Sequence, residues 1–170
     1  LQARQREQVR TINRSGQHLL ELINDILDLS KIEAGRLQLN PSDFNLHVLL
    51  DDMASMFALR AHTKGLELVQ ERAPDVPAQV HADEGKLRQV LINLLGNAVK
   101  FTHTGHIRLR AGTDTQSAPE RPRLWMEVSD TGPGISAEDQ ALLFQPFQQA
   151  EAGRKSGGGT GLGLNISQNL

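Results

Sequence analysis

Three stretches of the chain carry residues whose types and spacing could hold a phosphorylated ligand. In Gly157-Gly158-Gly159-Thr160-Gly161-Leu162-Gly163-Leu164, five of the seven residues from Gly157 to Gly163 are glycine. Glycine lets backbone amides close on an anion, and a helix opening at Leu164-Asn165-Ile166 would turn its positive N-terminal end toward the same charge. A flexible hinge is the other reading of so much glycine. Asn93 and Asn97 stand four apart, so on a helix both amides leave one face, with Lys100 continuing along it. Amide oxygens suit Mg2+, a hard cation that takes few protein ligands and fills its octahedron from phosphates and water. Surface amides bonded to a neighbouring loop are the alternative. In Asp130-Thr131-Gly132-Pro133-Gly134 a carboxylate leaves a strand end where it could accept from an exocyclic amine, although a plain Asp-Gly turn reads the same way.

The elements that must position these groups follow from periodicity. The glycine run is no P-loop, because no Gly-Lys-Ser or Gly-Lys-Thr follows, and no strand leads into it as a dinucleotide fingerprint requires. Val9, Ile12, Gly16, Leu19, Ile23, Ile26 and Ser30 recur at steps of three and four, a long helix that Gly35 stops. Leu20, Leu22, Leu27 and Leu29 widen its apolar stripe, which implies a bundle built with a second chain; a helix folded on its own domain is the alternative. Leu37-Gln38-Leu39 alternates as a short strand, and Pro41 to Asn45 supplies turn and capping residues for a helix from Leu46 to Lys64. Gly65 ends that helix, a strand follows over Leu66 to Val69, and Pro74 and Pro77 mark a loop. Asp83 caps a third helix whose apolar face is Leu87, Val90, Leu91, Leu94, Leu95 and Ala98. His106–Ala111 and Leu124–Val128 are strands joined across a hairpin loop from Thr113 to Pro122. This order predicts a two-layer α/β sandwich, a mixed sheet with helices on one face.

Together these stretches resemble the catalytic domain of the sensor histidine kinases, part of the wider ATPase group with gyrase, the ninety-kilodalton heat-shock chaperone and the mismatch-repair ATPases. Leu87 to Thr102 is similar to the family's N box, Asp130–Gly134 to its first glycine box, Leu143-Phe144-Gln145-Pro146-Phe147 to its F box, and Gly157–Leu164 to its second glycine box. The resemblance implies a Bergerat-type ATP-binding fold with ATP and Mg2+ as ligands. It makes Asn97 the metal ligand, Asn93 a neighbour of metal and phosphates, and Lys100 a phosphate contact, these three forming the catalytic set. Asp130 would read the adenine amine, Phe101 would wall the pocket, and Gly132 and Gly134 would keep the turn near the base. Gly159, Gly161 and Gly163 would line the triphosphate side; Ile135, Phe147, Thr160 and Leu162 complete the implied nucleotide-binding set. Gln148 to Gly158 would be a lid. Gyrase-like members carry a glutamate base where this chain has Asn93, and a neutral amide does not deprotonate water, so a hydrolytic ATPase is disfavoured.

Ser15 to Gly35 resembles the second helix of the family's dimerisation and phosphotransfer hairpin, especially in hybrid sensor kinases. The division implied is a truncated hairpin helix over 1–35 and a catalytic domain over 36–170. The acceptor histidine of such proteins lies on the preceding helix, and none of the six histidines here has its context; His18 reads as a helix-surface residue. The last helix breaks off at Leu170, before the strands that complete the family's sheet. The implied function is transfer of the ATP γ-phosphate to that histidine and on to a receiver aspartate, and a noncatalytic dimerisation module is the competing reading. The expected partners are a second copy through the N-terminal helix and a response-regulator receiver domain.

The net charge of −2, from 18 basic and 20 acidic residues, offers no single-sign field for nucleic acid. The absence of cysteine removes thiolate sites and disulfides, and fits a reducing cytoplasm. Apolar runs fall far short of the roughly 20 residues a spanning helix needs, so no direct membrane contact is expected, although the full protein could be anchored in a bacterial inner membrane.

Overall fold

The computed structural model describes residues 3–114, 123–148 and 160–170. Helix α1 runs over Ala3–Glu33, then β1 over Ser42–Asn45 and α2 over Leu46–Thr63. Strands β2 (Glu67–Arg72) and β3 (Gln79–Ala82) lead to α3 (Glu84–Phe101), and β4 (His106–Asp114) and β5 (Arg123–Asp130) follow. Two short helices, α4 (Ala137–Gln140) and α5 (Gly163–Asn169), close the described chain. Strands β2, β4 and β5 form a mixed sheet in which β4 is central, parallel to β2 and antiparallel to β5. Strands β1 and β3 form a separate antiparallel ladder that puts Phe44 opposite Val80.

Alternation on the sheet decides which layer covers it. Ile107, Leu109 and Ala111 of β4 point inward, joined by Leu68, Leu124, Met126 and Val128, and α2 and α3 lie over them through Leu49, Leu50, Met53, Phe57, Leu91 and Leu95. The opposite face is polar: Arg108 pairs with Glu71 at 3.3 Å and Arg110 with Glu127 at 3.2 Å. Gly112 sits under the Trp125 ring, where a Cβ would stand 2.4 Å from the indole. Helices on one face of a mixed sheet are therefore the observed architecture, as the order of elements predicts.

Helix ends follow local chemistry. Asn45 caps α2 by accepting from Val48 N at 3.1 Å, and Gly35 and Gly65, both at positive φ, turn the chain after α1 and α2. Asp83 caps α3 through Oδ1, which accepts from Lys86 N, while its Oδ2 accepts from Asn40 N. The Asn40 and Lys86 amides hold its carboxyl below the ordinary value. The cap's contribution is therefore complete above that ordinary value and is lost as pH falls through the lowered one.

Two expectations need correction. Leu37–Leu39 is irregular and Leu39 is 56% exposed; the strand begins five residues after Leu37, at Ser42, where Phe44 has a core to enter and β3 supplies a backbone partner. Gln79–Ala82, expected as loop, is that partner, and its single inward apolar pair, Val80 and Ala82, is too brief to stand out as alternation. The strands beginning at Glu67, His106 and Arg123 also run further than expected, to Arg72, Asp114 and Asp130. Of the hairpin loop, 115–122 lies outside the described residues.

Val9, Ile12, Leu19, Leu20, Ile23, Ile26 and Leu27 are exposed along α1, whereas Leu29 and Ile32 pack on Leu162, Ile166 and Leu170 of the same chain.

Candidate functional site

Helix α3 is the site's spine, because burying Leu91, Leu95, Ala98 and Val99 on the core turns Asn93, Asn97 and Lys100 onto its other flank. The two amides are coupled. Asn97 Nδ2 approaches Asn93 Oδ1 at 3.4 Å, and Asn93 Nδ2 donates to Ser167 Oγ at 2.8 Å. Helix α5 lies against this flank so closely that a Cβ on Gly163 would stand 2.3 Å from Asn93 Oδ1. Glycine at that position lets the Asn93 amide lie against the start of α5, and a larger residue there would turn that amide aside.

Lys100 Nζ lies 4.8 Å from the centre of the Phe101 ring. Desolvation by burial holds its ammonium below the ordinary lysine value. Lys64 donates to the carbonyls of Val99 at 2.6 Å and Lys100 at 3.0 Å, placing a cation on the negative end of α3 just where the helix delivers Lys100.

Beyond that end, Asp130 leaves β5 and folds back on its own loop. Its Oδ1 accepts from Gly132 N at 2.8 Å and from Thr102 Oγ1 at 3.3 Å. A Cβ on Gly132 would stand 2.7 Å from Asp130 Oδ1, so a side chain there would push the carboxylate out of this arrangement. Gly134 follows at φ 72°. Ile135 is exposed, and its carbonyl accepts from Gln140 Nε2 at 3.0 Å.

Phe147 combines a positive φ of 63°, unusual for so bulky a residue, with an exposure of 63% for the residue as a whole. Its backbone presses on Gly161: Phe147 N donates to Gly161 O at 3.1 Å, and a Cβ on Gly161 would stand 2.8 Å from the Phe147 carbonyl carbon. Thr160 Oγ1 donates to Asp25 Oδ2 of α1 at 3.0 Å and accepts from Leu162 N at 3.1 Å. The Leu162 side chain is fully buried against Leu29 and Ile166, so it serves packing. Gly159 lies outside the described residues, as does the expected lid from Gln148 to Gly158 except Gln148 itself, whose amide donates to Gln145 O at 3.3 Å.

The structure thus gathers Asn93, Asn97 and Gly163 in one cluster, Phe101, Asp130 and Gly132 near the end of α3, and Phe147 with Gly161. Sequence reasoning missed Ser167, Thr102 and the residues by which α1 meets α3, where Asp28 Oδ2 accepts from Gln89 Nε2 at 2.9 Å and lies 3.6 Å from Lys86 Nζ. The helical step from Gly163 to Ser167 was the available signal for the first of these. Among the described residues, no group of three or more acidic, histidine or cysteine side chains could hold a metal ion.

Residues 82–170 match the family described as histidine kinase-, DNA gyrase B-, and HSP90-like ATPase, and residues 1–35 match the His Kinase A (phospho-acceptor) domain. The chain belongs to this ATPase family. Within it, the pairing with part of a His Kinase A domain makes the chain an ATP-binding catalytic domain of the sensor-kinase type. It is 44% identical to the signal transduction histidine-protein kinase BarA of Escherichia coli over 98% of its own length and 18% of that protein. It is 46% identical to the sensor protein GacS of Pseudomonas syringae pv. syringae over its whole length and 19% of that protein. Among solved structures, full-length ShkA in complex with AMPPNP superposes with a TM-score of 0.80 at 36% identity, over 99% of this chain and 34% of that one. The chain thus spans about a fifth of the length of the curated relatives it matches. Among the described residues, no helix is long and apolar enough to cross a membrane.

Gly163→Ala removes the backbone freedom of glycine at the start of α5, which offsets in part the loss, by turning Asn93 away, of the hydrogen bond to Ser167, itself worth about 1 kcal/mol. The urea midpoint should therefore stay near that of the wild type while the side-chain amide signals of Asn93 shift in a 15N–1H spectrum.

Proposed function

We propose that this chain binds Mg-ATP along α3 and, in its full-length protein, transfers the γ-phosphoryl group to a histidine on a neighbouring helix and thence to a receiver aspartate. The observation that carries the reading is α3 itself: one buried face fixes a line of Asn93, Asn97 and Lys100, with a glycine-lined helix start beside its middle and Asp130 beyond its end. Phosphoryl transfer relies on positioning and charge stabilisation, which an ammonium and two amides on a rigid helix can supply. The bond from phosphorus to the departing ADP oxygen breaks as an imidazole nitrogen lone pair forms the new P–N bond. Asn93, a neutral amide in the position of a hydrolytic base, leaves water without a proton acceptor there.

Asn97 would hold the metal. Its Nδ2 is turned to Asn93, which leaves Oδ1 as a ligand, and a site with one protein oxygen suits a cation that keeps waters and phosphates in its shell. Bound Mg2+ would neutralise phosphate charge. The exposed apolar stripe on α1, from Val9 to Leu27, calls for a second copy to cover it, as in the dimeric bundle the sequence suggests.

Calorimetric titration with a nonhydrolysable ATP analogue, with and without Mg2+, tests the reading: saturable binding strengthened by the metal supports it, and no binding by folded protein overturns it. Asn97→Ala should abolish the Mg2+ enhancement; equal enhancement in mutant and wild type would remove Asn97 from the metal. Asp130→Ala should erase the preference for ATP over GTP, measured as the ratio of the two dissociation constants. Lys100 sets a pH dependence. Its value is depressed when no ligand is bound, and phosphates would raise it, so binding takes up a proton at alkaline pH and affinity falls as pH rises through the depressed value. Titrations in buffers of different ionisation enthalpy should show this uptake in the wild type and not in Lys100→Arg.

A further inference from the structure

Thr102, the residue closing α3, is fully buried, and the partner of its hydroxyl is the carboxylate of Asp130. A carboxylate only accepts, so Thr102 is the donor. The same oxygen, Oδ1, also takes the Gly132 amide at 2.8 Å. Both protein donors converge on Oδ1, and among the described residues no hydrogen bond reaches Oδ2. A half-turn of the carboxylate only interchanges two equivalent oxygens, and any rotation short of that leaves a buried hydroxyl unpaired, a loss of about 1–3 kcal/mol.

The surrounding geometry keeps this pair in place. Thr102 is β-branched and stiff at χ1, and its own amide donates to Ala98 O at 3.0 Å, which fixes it to α3. On the other side Thr131 Oγ1 accepts from His106 N at 3.0 Å and donates to Thr104 O at 3.0 Å, binding the Asp130 loop to the turn after α3. Gly105, at φ 102°, leaves room for that hydroxyl, since a Cβ there would collide with it. The loop is therefore clasped by one threonine from the helix end and one from its own second residue.

We propose that Thr102 is a specificity-determining positioning residue: by saturating Oδ1 it presents Oδ2 as a fixed acceptor that takes an exocyclic amine and repels a ring carbonyl, selecting adenine over guanine. The inference rests on Asp130 being the base reader of the proposed function. Thr102 does not touch the base. Its effect reaches the ligand through the orientation of the carboxylate.

The test uses the 170-residue chain and nonhydrolysable analogues of ATP and GTP, titrated in excess Mg2+, with Thr102→Val, Thr102→Ser and Asp130→Ala. Valine keeps the shape and loses the hydroxyl, so the ATP-to-GTP affinity ratio should fall about tenfold, the worth of one hydrogen bond to a charged group. Serine keeps the hydroxyl and should hold the wild-type ratio. A purely structural threonine would weaken both nucleotides together, and an unchanged ratio in folded Thr102→Val overturns the proposal. If Asp130→Ala removes the preference while Thr102→Val keeps it, only the role of Thr102 falls; if Asp130→Ala also keeps it, the base-reading role of Asp130 is what fails. Should the valine variant not unfold cooperatively, Thr102→Ala replaces it in the same titrations, with the same two outcomes.

Discussion

The rotation of α3 about its own axis is the constraint on which the rest of the site depends. Leu95 is wholly buried and Leu91 and Ala98 nearly so, and no other face of this helix could enter the core without burying an amide or an ammonium. Once that face is committed, the azimuth of Asn93, Asn97 and Lys100 is settled. Hydrophobic packing thus sets the aim of polar groups that contribute little to the packing themselves. Lys100 shows the cost of this arrangement: its ammonium is partly desolvated before any anion is present.

The second organising contact joins the two parts matched by different families. Leu29 of α1 is buried with Leu162 and Ile166, Asp25 accepts from Thr160, and Asp28 meets Gln89 and Lys86 at the start of α3. The helix that precedes the catalytic domain therefore touches both the beginning of the spine and the second half of the glycine run. Those residues are also held from the other side, where Gly161 is pressed by Phe147 and Gly163 by Asn93.

Much of this was legible in the sequence, for reasons that differ by element. Long helices with clean caps stand out, and Asp83, Gly35 and Gly65 each mark an end where the structure has one. The central strand was legible because three alternate residues, Ile107, Leu109 and Ala111, are all buried. The β1–β3 ladder was not, since each strand is four residues long and only their pairing makes them strands. At the site, residue types and spacing announced Asn93, Asn97 and Asp130. The hydroxyls that orient them, Ser167 and Thr102, were hidden because a hydroxyl carries no periodic signal and its partner lies 74 or 28 positions away.

The exposed length of α1 has a mechanical consequence. The helix spans 31 residues, about 46 Å at the usual rise, and among the described residues Asp25, Asp28, Leu29 and Ile32, near one end, touch the catalytic body. Such a rod is a lever with its fulcrum at Leu29. A tilt of a few degrees at that pivot sweeps the far tip through several ångströms, and a displacement applied at the tip returns to Leu162 as a small shift with greater force. The glycine-lined helix start therefore sits at the short arm.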